Sequence, residues 1–256
     1  VRWNRKRGSR LGPRPPRPRR TRERQRAHGR NRPEGRRQGR PRHVRAAAWA
    51  APVAAAAFAL LALWVALAPV GPLPFDTGPH AWSLGHRPPA ALAVARAVTA
   101  TGTGGWPYAL VVLAGLYAGR TVRQRLTAVA GLALCLALGQ AVRRALMELF
   151  ARPRPPAADW ATHAANWSFP SGHATTGALT AGLVIAALTL RGSPGPFRTA
   201  TVALIALWGA AVGLSRVYLG VHWLSDVLGG WLLATAWVSC AALVYRAYRR
   251  EPAAGA

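Results

Sequence analysis

Apolar stretches with few or no charged residues divide most of the chain into blocks of helix length. The first occupies residues 46–68, and others follow at about 105–119, 126–146, 174–190, 199–215 and 225–245. Each approaches the ~20 residues that an α-helix needs to cross a bilayer. Blocks such as 174–190 and 199–215, at 17 residues, sit at the short end. Arg and Trp at their ends can snorkel or anchor, which extends their reach. Runs such as "GLALCLALGQAV" present almost no polar face, which excludes a soluble helical bundle. The pattern predicts an all-α, polytopic membrane protein with six transmembrane helices.

Charge is distributed very unevenly over this pattern. The formal net charge is +27, yet residues 1–45 hold 19 of the 34 Lys and Arg against two acids, Glu23 and Glu34. This Arg/Pro/Gly segment has too few apolar residues to offset its chain entropy, so a disordered basic tail is expected at 1–45. A six-span domain is expected over 46–250, with a short C-terminal tail at 251–256. The tail suits anionic lipid headgroups, to which each Arg near the surface adds ~1 kcal/mol. With no aromatic beyond Trp3 for base stacking, it argues against nucleic-acid binding. No secretory signal is expected, because the basic tail is far longer than an n-region. Cys135 and Cys240 lie in separate apolar runs and read as small packing residues.

The arginines also orient the spans. With the tail inside, "GRTVRQR" (119–125), "RGSPGPFR" (191–198) and "YRAYRR" (245–250) all fall on the cytoplasmic side. Both termini are then cytoplasmic, in an integral, multi-pass cell-membrane protein. Segments 69–104, 147–173 and 216–224 face outward, and they hold five of the seven histidines. Polar chemistry is expected at the outer face.

Three outward segments carry it: "RPRP" at 152–155, "FPSGHATTG" around His173, and "SRVYLGVHWLSD" from Ser215 to Asp226. Pro-Ser-Gly before an apolar run reads as a helix start. Ser171 is then the expected N-cap, and Gly172 leaves room for a ligand against the backbone. The free N–H groups of such a start favour an anion such as phosphate, with His173 at its rim. His222 and Asp226, four apart, share a helix face, so Asp226 can accept from Nδ1 of His222 and leave Nε2 as nucleophile or base. Arg154 and Arg216 are candidate bidentate phosphate ligands. The set predicts phosphoryl transfer through a phosphohistidine: attack by His222, orientation by Asp226, proton transfer by His173. No cofactor or metal is expected, since Arg154 and Arg216 would repel a cation at His173, His222 and Asp226.

These segments resemble the signature motifs of the type 2 phosphatidic acid phosphatase (PAP2) family: Lys-x6-Arg-Pro, Pro-Ser-Gly-His and Ser-Arg-x5-His-x3-Asp. Pro170-Ser171-Gly172-His173 and Ser215-Arg216…His222…Asp226 match the second and third in full. The resemblance covers roughly 70–256 and implies a PAP2-like helical bundle. It implies hydrolysis of a lipid phosphate such as phosphatidic acid, phosphatidylglycerophosphate or undecaprenyl diphosphate, the last favoured for an outward-facing site. The first motif departs from the pattern. Seven residues before Arg154 stands Met147, and seven before Arg152 stands Ala145, so the motif lysine is absent. Arg143 and Arg144, one turn earlier, are the candidate stand-ins. Two alternatives accompany this reading: a lipid phosphotransferase on the same site, and a catalytically weakened relative with a binding or scaffold role.

Other polar residues read more plainly. His163 and Asp159 are expected as solvated loop residues, while His28, His43, His80 and His86 have no visible partner. Trp82, Trp106, Trp160, Trp167 and Trp223, with Arg87 and Arg96, are expected as interfacial anchors.

Overall fold

The structure, a computed structural model, describes residues 42–68, 71–191 and 193–248. The expectations for the basic tail, up to residue 41, and for residues 251–256 concern positions outside these. Among the described residues there are eight α-helices: α1 Arg42–Leu67, α2 Thr77–Gly85, α3 Pro89–Thr101, α4 Trp106–Ala118, α5 Val122–Phe150, α6 Gly172–Arg191, α7 Pro196–Tyr218 and α8 Leu224–Tyr248. No strand occurs among them.

Five helices, α1, α5, α6, α7 and α8, are long and apolar enough to cross a membrane. The block read at 105–119 forms α4, a shorter apolar helix of 13 residues. At 1.5 Å per residue α4 is about 20 Å long, less than the ~30 Å hydrocarbon core. Gly104, at φ 63°, sits in the turn before it, and Gly119 forms its C-cap. Of the six blocks read as spans, five are therefore helices long enough to cross a membrane and the sixth is this shorter one. Helix α5 shows the opposite departure. Its 29 residues begin at a Thr121–Gln124 capping box and outrun the apolar block, so its last turns carry Arg143, Arg144 and Met147. The segment read as an outer connection, 69–104, is itself largely helical, as α2 and α3.

Helix α6 is the centre of the bundle, lying against α4, α5, α7 and α8, while α1 runs along α8. Val111, Leu136, Leu179, Leu183 and Ala234 bring α4, α5, α6 and α8 into one buried cluster. Small residues set the spacing. A Cβ on Gly209 of α7 would lie 3.2 Å from the Gly177 carbonyl of α6, and one on Gly230 of α8 would lie 3.0 Å from the Ser171 carbonyl. That second approach fixes the first turns of α8 beside the first turn of α6, where His173 stands.

The long connection 151–171 is held down on this end of the bundle. Arg87 donates to the Asp159 carbonyl at 2.7 Å, and Arg96 donates twice to the Ala161 carbonyl at 2.9 and 2.8 Å. These arginines, read as interfacial, tie the loop to α2 and α3. His80, read as lacking a partner, lies 2.9 Å from Asp159 Oδ2 through its Nε2. Gly220 turns the chain between α7 and α8 at φ +73°, and a Cβ there would come within 2.4 Å of the Asp159 carbonyl oxygen. Trp82, Trp106 and Trp167 are exposed, as anchors would be. Trp223 is not: it is buried against His80 and donates its indole N–H to the Pro153 carbonyl at 3.2 Å.

Candidate active site

The end of α5, the connection 151–171, the start of α6, the end of α7 and the start of α8 meet at one end of the bundle. They enclose a cavity of about 360 Å³. Its wall carries Arg143, Arg154, Arg216, His163, His173 and His222, and no carboxylate. Three guanidinium groups around a space of this size favour an anion.

Of the predicted residues, His222, Asp226 and His173 come together. Asp226 is fully buried at the start of α8, and its Oδ2 accepts from the backbone N–H of Trp223 at 2.9 Å. The same oxygen lies 3.2 Å from His222 Nδ1. Arg154 Nη1 lies 2.8 Å from His222 Nε2. A guanidinium only donates, so Nε2 must be the unprotonated nitrogen, and Nδ1 carries the proton toward Asp226. Two independent neighbours thus favour one tautomer, with the lone pair of Nε2 directed at Arg154 on the cavity wall. Burial, then the positive charges of Arg154 and Arg216, hold His222 well below the ordinary histidine range.

The arginines differ in what they have left to give. Arg154 Nε donates to the Asn166 carbonyl, Nη2 to those of Ala165 and Trp167, and Nη1 to that of Val221 as well as to His222. All five of its donors are engaged by the protein itself. Burial also pulls its pKa down. It therefore braces the loop and holds Nε2 of His222. Arg216 is buried, and among the described residues it donates from Nη1 to Thr99 Oγ1 of α3 at 3.2 Å. Arg143 contacts Met147 Sδ at 3.4 Å. The Nε groups of both Arg143 and Arg216 are buried without a partner among the described residues. An anion in the cavity would supply one.

The structure also separates the two candidate stand-ins for the missing lysine. Arg143 lines the cavity and lies close to Gly172, whereas Arg144 is exposed and does not line it. Met147 is buried at 3% exposure, its sulfur under the Arg143 guanidinium. Ser171 departs from its expected role. Its hydroxyl is buried without a partner among the described residues, so it does not act as the side-chain cap of α6. Gly172 and His173 line the cavity from that uncapped first turn, whose N–H groups are open to an anionic cap.

Sequence reasoning missed the layer behind these residues. Arg152 is buried and donates from Nη1 to Asp226 Oδ1 at 2.7 Å and from Nη2 to Asp76 Oδ2 at 3.0 Å. Asp76, just before α2, also accepts from the backbone N–H groups of Leu73 and Ser225 and from Ser225 Oγ. Arg152 was visible in "RPRP"; Asp76 stands in no motif. Its only signal is scarcity, because residues 46–256 hold just five acids. Among the described residues, no group of three or more His, Cys, Asp or Glu side chains is placed to hold a metal ion.

Residues 128–251, which contain every motif element from Arg143 to Asp226, match the family model of the PAP2 superfamily. Over this segment the chain belongs to the PAP2 superfamily. Phosphatidylglycerophosphatase B of Bacillus subtilis (strain 168) is 36% identical over 107 residues, which is 40% of this chain and 52% of that protein. The chain thus spans about half the length of this relative. In three dimensions it is similar to a transmembrane PAP2 type phosphatidylglycerolphosphate phosphatase from Bacillus subtilis, with a TM-score of 0.66 and 24% identity. That match covers 80% of this chain and all of the other. It is also similar to Aquifex aeolicus LpxE, with a TM-score of 0.53 and 20% identity over 67% of this chain and 96% of the other. These two likenesses establish a PAP2 fold. Asp76 lies outside the 128–251 match, so the PAP2 core draws one of its buried acids from the preceding segment.

Proposed function

We propose that this PAP2 protein is a membrane phosphatase that hydrolyses a lipid phosphate or diphosphate through a phosphohistidine. The observation that carries this reading is the placement of His222, with Nδ1 beside Asp226 and Nε2 beside Arg154 on the wall of a cavity that carries three arginines. His222 attacks phosphorus in line, and Asp226 stabilises the imidazolium that forms. His173 gives a proton to the leaving lipid oxygen, then takes one from the water that hydrolyses the phosphohistidine. Arg216, Arg143 and the first turn of α6 hold the equatorial oxygens. Arg154 lies beside the attacking nitrogen and joins them as Nε2 is consumed.

The relatives' names put phosphatidylglycerophosphate at the head of the substrate panel, ahead of undecaprenyl diphosphate and phosphatidic acid. Arg120, Arg123, Arg125, Arg191, Arg198 and Arg246 lie at the end of the bundle away from the cavity. By the positive-inside rule that end is cytoplasmic, and the cavity opens at the outer face of the cell membrane.

Phosphate release by purified protein in detergent, over that panel and with EDTA present, tests the reading. Release from at least one lipid, abolished in His222→Ala, is expected. Release that survives His222→Ala removes the nucleophile, and release lost to chelator removes the purely cationic-side-chain site. Added glycerol separates hydrolysis from transfer, since a phosphotransferase would form glycerol phosphate in place of free phosphate. No release from any lipid would favour the weakened, binding relative.

A further inference from the structure

The buried contacts behind His222 form a chain of charges that alternate in sign. Asp226 lies 3.2 Å from His222, Arg152 lies 2.7 Å from Asp226, and Asp76 lies 3.0 Å from Arg152. Asp226 and Asp76 are fully buried, and Arg152 is 5% exposed. Taken alone, Arg152 and Asp226 would be a neutral pair. Such a pair offers little field to an imidazolium forming on His222. A second carboxylate changes this. Two acids share one guanidinium, so the group keeps a net negative charge directly behind the nucleophile.

Asp76 acts there purely as an acceptor. It accepts four hydrogen bonds, from the N–H groups of Leu73 and Ser225, from Ser225 Oγ and from Arg152 Nη2, at 2.7–3.0 Å. An asparagine would turn a donor toward at least one of these donors. Ser225 Oγ also accepts from Arg152 Nη1 at 2.6 Å, which fixes the guanidinium between the two acids.

We infer that Asp76 is a positioning residue for the phosphoryl-transfer step, neutralising Arg152 so that the charge of Asp226 remains available to His222. The inference rests on the His222 nucleophile of the proposed function. Asp76 does not line the cavity and touches no substrate; it acts through Arg152 and Asp226. The charged and titratable groups facing His222 are Asp226 from α8, Arg154 and Arg152 from the 151–171 connection, and Arg216 from α7. His173 from α6 faces it too. Arg143 of α5 and His163 share the cavity wall.

The test is the pH dependence of kcat/KM for lipid phosphate hydrolysis in detergent, with Asp76→Asn, Arg152→Gln and His222→Ala. In Asp76→Asn the charge of Arg152 falls wholly on Asp226. The acid limb should move down by about one pH unit, and kcat should fall at least about fivefold with KM near the wild-type value. In Arg152→Gln both carboxylates lose their guanidinium partner, so the negative charge behind His222 rises and the limb should move up. Shifts of opposite sign are unaffected by how much of each variant folds, and either variant alone decides the sign. An acid limb that stays in place in the variants, while His222→Ala is inactive, overturns the role of Asp76 and leaves the nucleophile intact. Turnover by His222→Ala overturns both.

Discussion

Arg143 and Arg144 are adjacent in sequence, yet the structure gives them opposite fates. Arg143 is half-buried in the cavity wall with its Nε unpartnered, while Arg144 is exposed outside it. A charge-assisted hydrogen bond to a bound phosphate contributes about 1.5–3 kcal/mol, so Arg143→Ala should lower kcat/KM by about 10- to 150-fold. Arg144→Ala should stay within about twofold, as surface charges generally do. Met147→Lys in the wild-type background should not raise activity. Its ammonium would enter beside the Arg143 guanidinium, which lies 3.4 Å from Met147 Sδ. Two cations about 4 Å apart repel by about 4 kcal/mol at an effective dielectric near 20. In Arg143→Ala the same lysine has room and an unopposed anion, so Arg143→Ala/Met147→Lys should recover most of the lost activity. Steady-state phosphate release by the four variants, normalised to folded protein, decides the matter. Equal losses in Arg143→Ala and Arg144→Ala would refute the assignment, as would a large gain from Met147→Lys alone.

Two further outcomes follow from the same coordinates. His222 is held below the ordinary histidine range by burial and by Arg154 and Arg216. Its folded form therefore stays neutral where the unfolded chain, with a value near 6.5, already binds a proton. The free-enzyme kcat/KM profile should stay flat as pH falls through about 6.5, and stability should decline below that pH as the unfolded state gains the extra proton. A profile that breaks at the ordinary histidine value would contradict this environment. At the far end of the bundle, a Cβ on Gly115 would lie 2.7 Å from the backbone of Val129 and force α4 away from α5. Gly115→Ala should cost about 1–3 kcal/mol, read as a lower melting temperature in detergent, with KM unchanged.

Much of this architecture is legible in the chain. Long uncharged runs mark the spans because every backbone group in a bilayer must be satisfied within a helix. The His222–Asp226 pair follows from helical spacing, which fixes a shared face without reference to the rest of the fold. Other features are long-range and leave little trace. Asp76 meets Ser225 across 149 positions, and Thr99 supports Arg216 across 117. Neither has local spacing to give it away. Arg154 shows a different gap. Its presence in the site was readable, but the carbonyls that occupy its donors belong to a loop whose path depends on Arg87, Arg96 and Gly220. Trp223 was misread because a tryptophan near a span end looks the same in sequence whether it faces lipid or lies beneath a loop. The short α4 reflects glycines whose effect on helix length depends on what packs beside them.

The central claim is that Nε2 of His222 becomes covalently bonded to phosphorus. Rapid mixing with lipid phosphate carrying labelled phosphorus, quenching in alkali and mapping of the labelled peptide tests it most directly. The account predicts a base-stable, acid-labile label on His222, formed no more slowly than turnover and absent in His222→Ala. Full turnover with no label on the protein, or a label on His173 instead, would contradict it.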